Sequence, residues 1–282
     1  MYRRFLAVGC WIGIPAGLLI FGALACNERA APQKPQPAAQ AAPLRIVSLS
    51  PELSQLIVAF GLATEIVGVD AASRSLPELE SAANLGEFES LDASVVAALK
   101  PNFVFVLGEE NQFPFAAALR DRGIPLYAFN PTSANAVIQS IQDLGIILDR
   151  KDRAQSAVRR LTQETSRVAT ERDGEKRPSV AWILQRDPLI VVGNRGLLHE
   201  ILELAGGEIS LHQLPGERIE VSFDVLAASN PDLILDSTPL SRREPISIGV
   251  RTEVLPTWAG ELPTLDVLGR IQIIHGLLYP PQ

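Results

Sequence analysis

Few residue groupings in this 282-residue chain are equipped to make or break a bond. His199, His212 and His275 are the only histidines and stand far apart, and His199-Glu200 lacks the second histidine that a helical zinc site needs. Cys10 and Cys26 are the only cysteines, both near the start, so the rest of the chain has no disulfide, cysteine metal site or thiol nucleophile. The chain contains no Walker phosphate loop, no Gly-x-Gly-x-x-Gly fingerprint and no Gly-x-Ser-x-Gly elbow. What remains is the neighbouring pair Glu109 and Glu110, the carboxylates of a possible extracytoplasmic α/β hydrolase or transferase, if the fold sets them in a cleft beside a nucleophile. No resident metal or cofactor is expected.

The elements that must position such groups show a repeat. Leu91-Asp92-Ala93-Ser94 through Leu99-Lys100-Pro101-Asn102 and on to Val106 is echoed by Val221-Ser222-Phe223-Asp224 through Ser229-Asn230-Pro231-Asp232 and on to Leu235. Each copy reads as a capped helix, a proline turn and a short apolar strand. Two similar α/β lobes follow from that, with the working surface between them.

Arg45-Ile46-Val47-Ser48-Leu49 has the pattern of a buried strand, Ser50-Pro51 supplies a helix cap and first turn, and Leu53, Leu56, Ile57 and Phe60 continue at helical spacing up to Gly61. Ile66-Val67-Gly68-Val69 is the next strand, so the order implies a parallel crossover unit. Helix 92–100, strand 103–107, a helix near 112–122 and strand 124–129 extend this lobe. Val137, Ile138, Ile141, Leu144, Ile147 and Leu148 then mark one amphipathic helix, and Ala154, Ala157, Val158, Leu161, Thr165 and Val168 a second. A helix over 152–172 measures roughly 30 Å and acts as a strut. The second lobe opens at Pro178-Ser179-Val180-Ala181-Trp182 and is expected to hold a helix stopped by Gly206-Gly207, helix 223–229, strand 232–235, a helix near 249–257 and a last strand over 270–274. His275 to Gln282 is short and holds two prolines, which predicts no final helix.

At the start, Arg3 and Arg4 precede the uncharged run Phe5–Ala25, the basic and apolar regions of an export signal. Ala23-Leu24-Ala25-Cys26 resembles a bacterial lipoprotein processing site, which makes Cys26 the lipid-modified residue; an uncleaved membrane anchor and an ordinary secretory signal are the alternatives. All three place the remainder outside the cytoplasm. Residues 27–43 are Ala, Pro and Gln with little else and form a tether. The resulting division is 1–26 signal, 27–43 tether, 44–150 first lobe, 151–174 connecting helix and 175–282 second lobe. The formal charge of −7 argues against a nucleic-acid partner.

Taken in order, Arg45–Pro51, Gly61-Leu62, Val67-Gly68-Val69, Leu85-Gly86-Glu87-Phe88, Leu99-Lys100-Pro101, Val191-Val192-Gly193, Glu203–Glu208 and Val221-Ser222 through Pro231-Asp232 resemble the helical-backbone periplasmic binding proteins, which deliver cobalamin, ferric siderophores or haem to ABC importers. The pattern is nearest to the cobalamin-binding type. The resemblance covers about 45–275. It implies an α/β protein of two Rossmann-like lobes with parallel sheets joined by a long backbone helix, a small-molecule ligand in the cleft, a monomer, and delivery to a permease with no bond made or broken. A binding protein that has become a sensor or scaffold is a further reading, prompted by Ser94 and the expected lack of a final helix.

Loops after the C-terminal ends of parallel strands face the crevice. That rule nominates Ser48 to Ser50, Phe88, Glu109 to Asn111, Gln185 to Asp187 and Asn194, and within these Ser50, Phe88, Glu109, Asn111, Gln185, Arg186 and Asn194 as ligand contacts. Cobalamin binders of the family line the cleft with tryptophan; this chain has Arg218 at one such place, leaving Trp182 and Trp258 as candidates. Arg186 and Arg218 suit an acidic ligand, and a haem guest would favour a His or Tyr ligand, for which Tyr127 is a candidate. The family docks to its permease through an acidic residue at the start of the helix before each proline turn. The match is Asp224 in the second lobe and Ser94 in the first, where Asp92 sits at the cap position and Glu87 and Glu89 are the alternatives.

Overall fold

The computed structural model describes residues 43–87, 90–171, 174, 176–239, 249–260 and 265–280, with the side chains of Thr257 and Trp258 outside the description. The segment expected to be an export signal, residues 27–42 of the expected tether, Cys26, Phe88 and Glu89 lie outside the described residues. Pro43–Gln282 is one compact unit. Among the described residues no helix is long and apolar enough to cross a membrane.

The first lobe runs β1 (Ile46–Ser48), α1 (Pro51–Ala59), β2 (Ile66–Val69), β3 (Ala83–Asn84), α2 (Ala93–Ala98), β4 (Phe103–Leu107), α3 (Ala116–Asp121), β5 (Leu126–Phe129) and α4 (Ala134–Ile147). Its five strands are ordered β3-β2-β1-β4-β5 and all pairs are parallel. After α5 (Lys151–Glu171) the second lobe runs β6 (Ser179–Arg186), β7 (Leu189–Val192), α6 (Leu197–Leu204), β8 (Glu208–Ile209), β9 (Arg218–Glu220), α7 (Phe223–Ala228), β10 (Leu233–Asp236), β11 (Thr252–Val254) and α8 (Val267–Leu278). Its sheet is ordered β11-β10-β6-β7-β9, with β8 also on β6.

The duplicated motif is a duplicated piece of structure. Asp92 caps α2 by accepting from Ser94 N–H at 2.8 Å, and Ser222 caps α7 by accepting from Val225 N–H at 3.3 Å. Lys100 and Asn230, each directly before the proline, hold left-handed φ values of 49° and 46°. The residue after each proline then anchors the lobe's opening strand. Asn102 Oδ1 accepts from Arg45 N–H at 2.7 Å, and Asp232 Oδ2 accepts from Ser179 N–H at 2.8 Å. Thus the helix ends, the chain reverses, and the central strand is pinned in both lobes by the same relative position.

Three sequence expectations for the second lobe are corrected. Its sheet is mixed, because Arg186 and Leu189 are joined by a two-residue turn that permits only a hairpin; β6–β7 and β7–β9 are antiparallel. Residues 249–257 hold the short strand β11 and not a helix, since Pro256 ends the extended segment that pairs with β10. The segment 270–274 is part of helix α8, so a final helix is present. Its buried side chains Val267, Ile271, Ile274 and Leu278 fall at helical spacing, Ile273 between them is 36% exposed, and Asp266 caps the helix by accepting from Gly269 N–H at 3.1 Å.

The connecting helix α5 is highly amphipathic: only Ala154 and Val168 are fully buried, with Ala157, Val158 and Leu161 packed partly against the core. It lies close on α4, because Gly145 has no side chain; a Cβ there would stand 2.3 Å from Ala154 Cβ. One apolar cluster runs from Ile46, Phe105 and Phe129 through Val137, Leu144 and Val168 to Trp182, Ile201 and Ile274. The opposite face of each sheet has its own smaller cluster. A core continuous along α5 makes the strut stiff, in keeping with small lobe movements.

Candidate functional site

Ser50, Glu109, Gln185 and Arg186 lie at or just after strand ends, the first two in the first lobe and the others in the second. In the first lobe, Ser50 closes β1 and caps α1, its hydroxyl 3.5 Å from Leu53 N–H, with Pro51 in the first turn. Behind it lies a buried polar cluster. Ser54 Oγ is 2.8 Å from Ser48 Oγ and 3.2 Å from Ser73 Oγ, and Ser73 donates to Asp70 through both its hydroxyl and its N–H. Burial pushes the Asp70 carboxyl above its ordinary value, the Ser73 hydrogen bonds oppose this, and the negative charge of Glu87 adds to the rise.

That direction sets a pH dependence. Between the unfolded value near 3.8 and the higher folded value, the unfolded chain has lost the Asp70 proton while the folded one keeps it. Stability from this group therefore falls as pH rises through that window. Asp70→Asn, which keeps an acceptor for Ser73, is expected to raise the denaturation midpoint at pH 7 and to leave it nearly unchanged at pH 3, measured by urea unfolding at the two pH values.

Further along the first lobe, Glu109 follows β4 and accepts from Asn130 Nδ2 at 3.1 Å, the residue after β5. Glu110 is ion-paired with Arg120, and Asn111 is exposed. Sequence reasoning grouped Glu109 and Glu110 as a carboxylate pair; the structure gives each its own neighbour and brings no histidine to them.

In the second lobe, Gln185 and Arg186 end β6. Gln185 Nε2 donates to Asp187 O at 2.8 Å. Arg186 forms a buried ion pair with Asp236, which ends β10; the side chains are 12% and 0% exposed. Asp236 also accepts from Thr238 N–H at 2.9 Å, and beside it Trp182 Nε1 donates to Ser237 Oγ at 2.7 Å. Arg186 Nε is buried without a hydrogen-bond partner. The arginine expected to meet an acidic ligand is thus already matched to a carboxylate, and Trp182, fully buried, is core and not a cleft lining.

Two further nominated residues lie at the other end of the hairpin. Arg218 pairs with Val192, at the end of the β6–β7 hairpin remote from the Asp187 turn, and Asn194 follows Val192. The Asn194 amide donates to His212 O at 2.8 Å and accepts from Gly216 N–H at 3.3 Å, fastening a loop. Asn194 is nominated by the parallel-sheet rule, which does not apply to the antiparallel β7, and Arg218 by the resemblance to cobalamin binders. Tyr127, in β5, packs against Phe103 and Phe105, their ring centroids 5.9 Å and 5.7 Å away.

Asp92 is exposed and capping; the N–H and hydroxyl of Ser94 hold its carboxyl below the ordinary value. Asp224 is exposed in the first turn of α7. Their repeat-related neighbours Val95 and Val225 are exposed as well. Sequence reasoning missed Asp70, Asp236, Glu52 and Arg270. The first two carried a signal, each a charged residue directly closing an apolar strand, in Ile66-Val67-Gly68-Val69-Asp70 and Leu233-Ile234-Leu235-Asp236.

Among the described residues no group of three or more potential ligating side chains could hold a metal ion. His199 is 3.5 Å from Glu203, and His275 is 3.3 Å from Glu171 and 3.0 Å from Ala205 O. His199 meets a carboxylate one turn on along α6, and His275 meets one from the neighbouring helix α5.

The family profile described as "Periplasmic binding protein" matches residues 46–258. Similar curated proteins include the vitamin B12-binding protein of Pectobacterium carotovorum, 23% identical over 200 residues, or 70% of this chain and 72% of that one. The vitamin B12-binding protein of Salmonella paratyphi A is 25% identical over 191 residues, covering 68% and 71%. Among solved structures, the periplasmic haem-binding protein HutB of Vibrio cholerae superimposes with a TM-score of 0.70 at 22% identity, covering 84% of this chain and 99% of that one. A possible iron-binding periplasmic solute-binding protein from Staphylococcus epidermidis gives 0.72 at 16% identity, covering 83% and 98%. These structural likenesses establish the two-lobed fold.

Proposed function

The chain belongs to the periplasmic binding protein family, and from that membership we propose that it is the extracytoplasmic substrate-binding component of an ABC importer. In this reading it captures a cobalamin or an iron chelate, siderophore or haem, between its lobes and hands it to a permease. The observation that supports the reading is the pairing of two α/β sheets joined by the single helix α5 and one continuous apolar core. The relatives' names support the class of guest.

The residues we assign to the guest are Ser50, Glu109 and Asn111 from the first lobe and Gln185 from the second, each at or just after the end of a strand, with Arg186 acting through its pair with Asp236. Trp258 and Phe88 are assigned by position in the chain alone. No covalent step is assigned, and Glu109 beside Asn130 serves as a hydrogen-bonding wall. Asp224 is the docking carboxylate of the second lobe, and Asp92 contributes on the first while it caps α2. Cys26 is the site of lipid attachment, residues 27–43 are the tether, and the folded part works as a monomer.

Purification of the full chain from its own cell envelope, followed by absorbance and mass spectra of the released small molecules, tests this reading. A corrinoid or iron-chelate spectrum at near-equimolar ratio is expected. An envelope-derived sample that carries no such guest, and takes none up when cobalamin, haem and ferric siderophores are supplied, would contradict it.

A further inference from the structure

Two carboxylates bridge the seam between the lobes, and they run in opposite directions. Glu52, in the first turn of α1, accepts from the backbone N–H of Leu265 and, at 3.3 Å, of Asp266, at the entrance to α8 in the other lobe. Its second oxygen lies 3.6 Å from the guanidinium of Arg270, which is 2% exposed and donates to Ala259 O at 2.8 Å. Glu200, on α6 of the second lobe, accepts at 2.7 Å from the N–H of Ala134, the first residue of α4 in the first lobe. Each lobe therefore lends a carboxylate to the start of a helix in the other.

The chemistry of those amides explains the arrangement. The first N–H groups of a helix have no partner inside it and stand at the positive end of the helix dipole. Local caps already serve part of the set: Ser133 accepts from Ala136 N–H at 3.1 Å, and Asp266 from Gly269 N–H. Glu200 takes one amide of that set that Ser133 leaves, and Glu52 takes the amides of Leu265 and Asp266 in the segment that leads into α8.

Close packing is incomplete beside the clamps. A cavity of about 310 Å³ lies between α1, α4 and the entrance to α8, with Glu52, Leu56, Ile141 and Leu265 in its walls. A second of about 160 Å³ lies along α5 between Ala134, Ile138, Leu161, Leu204 and Val267. Both are open to solvent, so the side chains in their walls make no contact across the gap and apolar packing fixes the lobes less firmly at these places than in the closed core. We propose that Glu52 and Glu200 form a paired latch that sets the opening between the lobes, the cavities being the slack that lobe movement takes up. The latch rests on the binding-protein reading for its use, but it acts with or without a guest.

The test is an interlobe distance distribution from dipolar spectroscopy on the full chain. Spin labels go at V95C and V225C, exposed positions in α2 and α7, in a chain carrying Cys10→Ser and Cys26→Ser, with no guest added. The parent should give one narrow distance. The E52A/E200A pair should broaden it and raise the more open population about tenfold or more, since hydrogen bonds to charged groups are lost on both sides. E52Q and E200Q, which keep an acceptor oxygen but not its charge, should fall between. Far-ultraviolet dichroism identifies folded variants, and the two glutamine variants carry the test if the alanine pair does not fold. An unchanged distribution in folded variants overturns the latch. Because no guest is present, failure of the latch and failure of the transport reading are separate results: broadened distances in a protein that binds nothing would remove transport and leave the latch.

Discussion

Asp236→Ala is expected to lower the unfolding free energy by about 3–5 kcal/mol, because it leaves the Arg186 guanidinium buried without its counter-charge. Asp236 is fully buried at the end of the central part of the second sheet, and its other oxygen accepts from Thr238 N–H, so the loss also loosens the turn after β10. Urea unfolding checks this as a fall in the midpoint with little change in slope. The double variant Arg186→Met/Asp236→Leu separates two contributions. Replacing both charges by apolar groups of similar size should recover most of the stability, since the cost lies in breaking the pair and not in lacking it. Guest binding should remain weakened in the recovered protein if Arg186 also orders the second wall of the cleft.

The second large effect is expected at Trp182. Trp182→Ala removes a fully buried indole from the core cluster that joins the lobes, with a cost of about 3–5 kcal/mol. The hydroxyl of Ser237 loses its donor at the same time. Trp182→Phe keeps most of the volume and drops only the hydrogen bond, so about 1 kcal/mol is expected there. The difference between the two variants, read from unfolding midpoints, measures packing against hydrogen bonding at one site. Because Trp182 lies under the ends of β6 and β10, the alanine variant should also disturb the seam.

The legible and illegible parts of this chain divide along physical lines. The first lobe was readable because its apolar strands, cap residues and helix stops agree: Ser50-Pro51 opens α1 and Phe103–Leu107 reads directly as β4. The strut was readable from the apolar spacing of Ala154, Ala157, Val158, Leu161, Thr165 and Val168, which matches α5 closely. The second lobe was harder. The run Ile271-Gln272-Ile273-Ile274 is short and apolar, and a pattern of that length does not distinguish strand from buried helix; Asp266, the cap five residues before it, was the deciding signal. The hairpin at Asp187-Pro188 was hidden because strand propensity says nothing about strand direction, and that one reversal places Asn194 and Arg218 at the opposite end of β7 from the Asp187 turn. The latch residues were out of reach for another reason. Glu52 and Arg270 are 218 positions apart in the chain, and nothing in either one's local pattern records the other.

The account stands or falls on a guest held between the lobes and released unchanged. Titration of the full chain with cobalamin, haem and ferric siderophores, followed by intrinsic fluorescence and then by mass spectra of the recovered small molecule, measures this directly. One of these guests should give a saturable response at one molecule per chain and return with its mass unaltered. No saturable response to any of them, or recovery of a cleaved or modified guest, would contradict it.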